Sequence, residues 1–165
     1  MDDNKFKIEI KIKEESDLYN SFDKYNKTLS DDLISYVSQK LELATIRDEL
    51  EIEIISDEKL DEKFIKNTFE EYCDKQLKIN DRKNKINTSK QIWLLVTGLI
   101  FISISFILSQ ISESLLYTVV STIGSFAIWE SANSWLLDRK IIKFNKFKLM
   151  KLKKSNIVCK NITEI

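Results

Sequence analysis

The chain has 165 residues, 43 % hydrophobic and 32 % charged, with 26 basic and 26 acidic side chains and a formal net charge of zero. It has no histidine, which excludes imidazole triads, imidazole metal ligands and imidazole proton shuttles. Only two glycines and two well-separated cysteines are present, which excludes a phosphate-cradling loop, a dinucleotide fingerprint and a structural zinc site.

The zero net charge conceals an uneven distribution. Residues 1–81 carry 22 acids and 13 bases, whereas residues 82–90 carry a net charge of +4 and residues 138–165 a net charge of +7. Met1–Asn4 is acidic and leads into a polar–apolar alternation, so no signal peptide is expected. The chain is rich in Lys, Ile and Asn, a composition compatible with an AT-rich bacterial genome.

Lys5–Lys13 alternates strictly, with Phe6, Ile8, Ile10 and Ile12 on one face and charges on the other, the pattern of a half-buried strand. Glu14–Leu29 is irregular, and Leu18, Tyr19, Phe22 and Tyr25 are expected to pack it down. Ser30 is a helix cap followed by Asp31 and Asp32, which complement the helix dipole. Leu33, Val37 and Leu41 then mark an amphipathic helix over 31–43. Leu50–Ile55 alternates again, and strand–helix–strand of this length implies a parallel pair. Ser56 or Asp57 is expected to cap the next helix, whose stripe of Leu60, Phe64, Phe69, Tyr72 and Leu77 reaches about Ile79. That helix can continue through the basic stretch 80–89, although Asn84, Asn87 and Thr88 leave room for a break.

Ile92–Leu108 is then an uncharged apolar run, and Leu115–Leu137 is a second one with Glu130 as its single charge. A span needs roughly 20 helical residues to cross about 30 Å of hydrocarbon. These runs predict two spans, about 91–111 and 115–137, joined by a very short turn. The alternative is two core helices of a soluble domain. Basic residues flank the pair on both sides (Arg82, Lys83, Lys85 and Lys90 before it, Arg139, Lys140, Lys143, Lys146 and Lys148 after it), so both termini are expected in the cytoplasm. The expected location is a bacterial inner or plasma membrane, with the chain crossing it twice.

After the second run, Ile141, Ile142, Leu149 and Leu152 share a helical face opposite Lys143, Lys146, Lys153 and Lys154. A basic amphipathic helix suits anionic lipid headgroups, and it equally suits packing on the soluble domain. The basic run near Lys151–Lys154 lacks interleaved aromatics and sits beside the apolar run, which favours headgroups over nucleic acid. Ile157–Ile162 is β-prone and is expected to rejoin the sheet. The fold class is therefore α+β: a two-helix transmembrane hairpin with a small β-α-β-α domain, completed by a C-terminal helix and strand. The expected divisions are 1–88, 89–137 and 138–165.

Asp17–Phe22, Leu29–Val37, Ile123–Glu130 and the basic stretch opened by Asp138-Arg-Lys resemble a family of uncharacterised bacterial integral membrane proteins. Its members have two spans and a small N-terminal α/β domain. The resemblance implies this architecture and no assigned activity.

Glu130 is the candidate site. On a helical wheel, Ser134, Ala127, Ser131 and Gly124 fall between about 40° and 120° on one side of it, and Asn133 at about 60° on the other. Thr97 and Gly98 lie at matching depth on the first run. A small, polar face of this kind permits close helix approach. An intramembrane carboxylate points to function, with snorkelling or a protonated assembly contact as the plainer readings. No cofactor, metal or catalytic residue emerges, and an enzyme is not expected. The favoured function is a membrane-anchored cytoplasmic sensing or interaction module acting through self-association, with the lipid bilayer, anionic headgroups at the basic C-terminal segment and further copies of the chain as partners. The alternative is a small oligomeric channel or permeabilising effector.

Overall fold

The computed structural model describes residues 5–25, 28–45, 48–111 and 115–161. The elements run β1 (Lys5–Lys11), α1 (Asp31–Leu43), β2 (Glu49–Ser56), α2 (Glu62–Ile111), α3 (Leu116–Lys153) and β3 (Asn156–Asn161), with a 3₁₀ turn at Glu15–Leu18. The fold is mixed α and β. The chain divides into a sheet unit, residues 1–78 with 146–165, and a helical unit, residues 79–145.

The sheet unit contains a three-stranded, fully parallel sheet in the order β1-β2-β3. Register places Ile8, Ile52 and Ile157 in one row and Ile10, Ile54 and Cys159 in another, all on one face. That face is buried together with Leu33, Val37 and Leu41 of α1 and with Ile65, Phe69 and Cys73 of α2. The two helical stripes recur at four-residue steps, as a helix packing along one face requires. The opposite face carries Lys7, Glu51 and Asn156, then Glu9, Glu53 and Val158, then Lys11, Ile55 and Lys160. The C-terminal strand thus completes the sheet by pairing with β2, so the sheet is built from both ends of the sequence.

Local chemistry explains the boundaries. Ser30 accepts from the Leu33 amide at 3.2 Å, which starts α1. The cap of α2 is Asp61 rather than Ser56 or Asp57: Asp61 Oδ1 accepts from the Phe64 amide at 3.1 Å. Ser56 Oγ instead accepts from the Glu58 amide and holds the turn that leaves the strand. Leu18, Tyr19 and Leu29 are buried as expected, with Tyr19 and Leu29 bridged, but Phe22 and Tyr25 are exposed, at 96 % and 72 %. They lie in the tight turn that Asn20 and Asp23 form by accepting the amides two residues ahead, and this turn lifts both rings off the core.

α2 continues without a break through 80–89, where Thr88 donates to the Asn84 carbonyl within the helix. Among the described residues α2 is the one helix long and apolar enough to cross a membrane, and only 11 % of its most apolar stretch is buried. α3 does not reach that apolarity, because Thr118, Ser121, Thr122, Ser125, Ser131, Asn133, Ser134 and Glu130 dilute its apolar residues. It is also a single helix from Leu116 to Lys153, so the second apolar run and the basic segment share one rod. At the end of that rod Leu152 is buried in the sheet unit's core, while Lys148 pairs with Glu42 at 2.9 Å and Lys153 with Asp74 at 2.6 Å.

Candidate functional site

Within the helical unit, α2 and α3 run antiparallel and meet along a seam of small and polar residues. Gly98 and Gly124 face each other at its centre: a Cβ on Gly98 would lie 2.8 Å from the Gly124 carbonyl oxygen, and one on Gly124 would lie 2.9 Å from that of Gly98. Only glycine allows backbones this close. Ile128 closes over Gly98, and Ile102 closes over Gly124. The seam is reciprocal, and it uses both glycines of the sequence.

Hydrogen bonds extend it in both directions. Ser105 Oγ donates to the Tyr117 carbonyl at 2.7 Å, and Ser131 Oγ donates to the Gln91 carbonyl at 2.9 Å. Ser134 Oγ lies 3.1 Å from Asn87 Oδ1 and 2.5 Å from Asp138 Oδ2, and Asn80 Nδ2 donates to the Ile142 carbonyl at 3.1 Å. Gln91, Gly98 and Ser105 are spaced seven residues apart, and they are met by Ser131, Gly124 and Tyr117, seven apart in the opposite direction. A strict seven-residue repeat keeps the same faces together along both rods. Asn80, Gln91, Ser105, Ser131 and Ser134 are all buried in this contact.

Of the residues singled out from sequence, the seam therefore takes in Gly98, Gly124, Ser131 and Ser134. Thr97 and Ala127 are half-buried beside it. Glu130 and Asn133 are exposed and lie off the seam. Glu130 Oε1 is 3.8 Å from Lys90 Nζ, which precedes the first residue of the apolar run. The carboxylate is therefore level with the start of that run rather than deep within it. Asn80, Asn87, Gln91 and Ser105 were missed because they were read one helix at a time. Their signal was the seven-residue spacing shared by the two rods.

The outer surface of the pair is dominated by large apolar side chains, with Ser103, Thr118, Thr122 and Ser125 exposed among them. Leu95, Val96, Leu99, Ile100, Ile104, Phe106 and Ile107 of α2 are exposed, as are Val119, Ile123 and Phe126 of α3. All three tryptophans of the chain, Trp93, Trp129 and Trp135, are more than half exposed and gather at one end of this surface. Lys90, Glu130 and Arg139 lie at the same end, the Arg139 guanidinium 5.8 Å from the Trp135 ring centre.

The sheet unit offers two further features. Glu53 is buried on the open face of the sheet with one oxygen against Lys7 and the other 2.5 Å from Lys160, and these lysines hold its carboxyl below the usual range. A recess of about 1140 Å³ lies at the carboxyl end of β1, lined by Lys11, Lys13, Phe22, Asp31 and Tyr36 among others. Cys73 and Cys159 are free thiols, and desolvation pushes them up to about 12 and about 11, which favours the protonated form. Among the described residues no cluster of three or more carboxylate or thiol groups could hold a metal ion. No family model matches the chain, and no curated protein and no solved structure is detectably similar to it.

Proposed function

We propose that this chain is an integral membrane protein whose two helices cross the bilayer as a hairpin, carrying a cytoplasmic interaction module that acts through self-association. The observation that carries this reading is the helix pair itself. Its outer surface is dominated by large apolar side chains, its seam is lined by small and polar ones, and one end is bounded by three exposed tryptophans and a set of lysines and arginines. Indoles and cations at one level are the signature of a membrane–water boundary, and an excess of Lys/Arg marks the cytoplasmic side. The hydroxyls that dilute α3 do not oppose its crossing, because Thr122 and Ser125 donate to carbonyls four residues back and so present no free donor to lipid. The same two-span architecture is what the resemblance to uncharacterised bacterial membrane proteins implies.

Self-association draws support from the sheet. Parallel sheets are normally covered on both faces, and here one face carries only Lys7, Glu53, Lys160 and their neighbours. The recess at the carboxyl end of β1 is where such a module would engage a ligand or partner, since ligands of parallel sheets gather at the carboxyl ends of strands. The channel reading is weaker, because Glu130 pairs with Lys90 at the boundary rather than standing alone at mid-depth. Light scattering of the full chain in detergent micelles tests the proposal. A defined oligomer is expected, and a monomer at every protein concentration would contradict it.

A further inference from the structure

We propose that the neck of the helix pair is a binding site for the phosphate of an anionic phospholipid, formed by Lys85 and Arg139 between Trp93 and Trp135. This rests on the membrane reading above and names the lipid class and the residues that take it.

Two recesses adjoin on the flank of α2. One, of about 370 Å³, is lined by Lys85, Ile92 and Trp93 together with Asn84 and Thr88. The other, of about 80 Å³, is lined by Trp135, Arg139 and the same Asn84 and Thr88. The two recesses share Asn84 and Thr88, and each adds one cation and one indole, Lys85 with Trp93 in the first and Arg139 with Trp135 in the second, with Ile92, the first apolar position, in the wall of the first. Among the described residues, Arg82, Lys83, Lys85, Arg139, Lys140 and Lys143 have no carboxylate within ion-pair distance. Lys148 and Lys153, further along α3, are instead committed to Glu42 and Asp74. These six cations all belong to the basic end of the helical unit.

The geometry suits a phosphodiester. Trp135 stacks against Arg139 and restricts the guanidinium plane, leaving its fork to grip two phosphate oxygens. Lys85 supplies a point charge, and the Asn84 amide a neutral donor. Ile92 and Trp93 form an apolar wall in the same recess, which a glycerol backbone and the start of an acyl chain can cover and a free phosphate cannot. Charge and wall together select a lipid.

The test is lipid retention. The full chain is purified from mixed phosphatidylglycerol and phosphatidylcholine vesicles, and bound lipid is counted by native mass spectrometry. Phosphatidylglycerol should be enriched several-fold over its share of the vesicle. Lys85→Gln should reduce that enrichment about five-fold, the effect of one cation near a charged surface. Arg139→Lys keeps the charge but loses the fork and the stacking, and should also reduce it several-fold. Lys63→Gln, an equal charge change on the sheet unit, should leave it unaltered. Equal retention of both lipids by the unaltered chain would overturn the site, as would Arg139→Lys behaving like the unaltered chain. Displacement of phosphatidylglycerol by equimolar inorganic phosphate would also overturn it. A chain that fails to float with vesicles of either lipid would fail the membrane reading itself, a separate and recognisable result.

Discussion

In the sheet unit Ile52, Ile54 and Val37 are fully covered, while Lys5, Glu9 and Lys11 face outward. In the helical unit Gln91, Ser131 and Ser134 are covered, while Ile100, Phe106 and Ile107 face outward. Among the described residues every buried apolar core side chain belongs to the sheet unit. The same chain thus follows two opposite burial rules, and in the membrane reading proposed above the difference reflects the solvent each part is built for. Water drives apolar groups inward, so the sheet unit is held by burial. Lipid is as apolar as leucine and gives no such drive, so a helix pair in lipid is held by close backbone contact and internal hydrogen bonds. The Gly98–Gly124 approach and the Ser105, Ser131 and Asn80 bonds are those two forces.

The comparison breaks most visibly at the centre of each unit. Ile52→Ala removes a fully buried side chain from the middle strand and should destabilise the sheet unit by about 3 kcal/mol. Thermal unfolding of the full chain in micelles, followed by protease protection of residues 5–45, should show the loss there and no loss in the helix pair. Gly124→Leu forces a side chain against the Gly98 carbonyl and Ile102. It should weaken the helix pair by about 1–3 kcal/mol and leave the sheet unit intact. The readout is the rate of exchange of a disulfide placed between the helices. An unchanged rate would mean that the glycines do not meet.

Much of the sheet unit was legible in the sequence, because alternation at Lys5–Lys13 and Leu50–Ile55 and the Ser30 cap are local signals. The exposure of Phe22 and Tyr25 was not legible, since it depends on a turn set by Asn20 and Asp23 side chains rather than on hydrophobicity. The start of α2 was misplaced for a similar reason: Ser56, Asp57 and Asp61 are all good caps, and strand geometry decides among them. In the helix pair, the small residues on α3 and Gly98 pointed to a contact face. The face about 40–120° from Glu130 is the one in the seam, whereas Glu130 itself and Asn133 on its other side turn outward, a rotation of about 100° per residue being enough to move a side chain from the seam to the surface. A wheel drawn for one helix cannot fix register with another.

Smaller changes sharpen the contrast. Ser131→Ala removes one bond to the Gln91 carbonyl and should cost about 0.6 kcal/mol, the average for a hydrogen bond between helices in lipid. Unfolding of the helix pair in micelles is the readout, and an unchanged stability would show that this bond contributes nothing to the seam. In the sheet unit, Lys160 and Lys7 depress the Glu53 carboxyl. A depressed carboxyl contributes stability that is present above its unfolded value, about 4.3, and is lost as pH falls through the lower folded value. Acid titration of the full chain should therefore show a component of stability lost below about pH 4 that Glu53→Gln removes. An identical acid limb in that variant would show that the lysines do not act on this carboxyl.

The claim that both helices cross the membrane is tested most directly by compartment-sensitive reporters fused to each end of the chain in a bacterial cell. The account requires both ends to report the cytoplasm, because the basic residues lie on both flanks of the pair and the turn between the helices has none. Opposite reports from the two ends would mean that only one helix crosses, and would contradict the account.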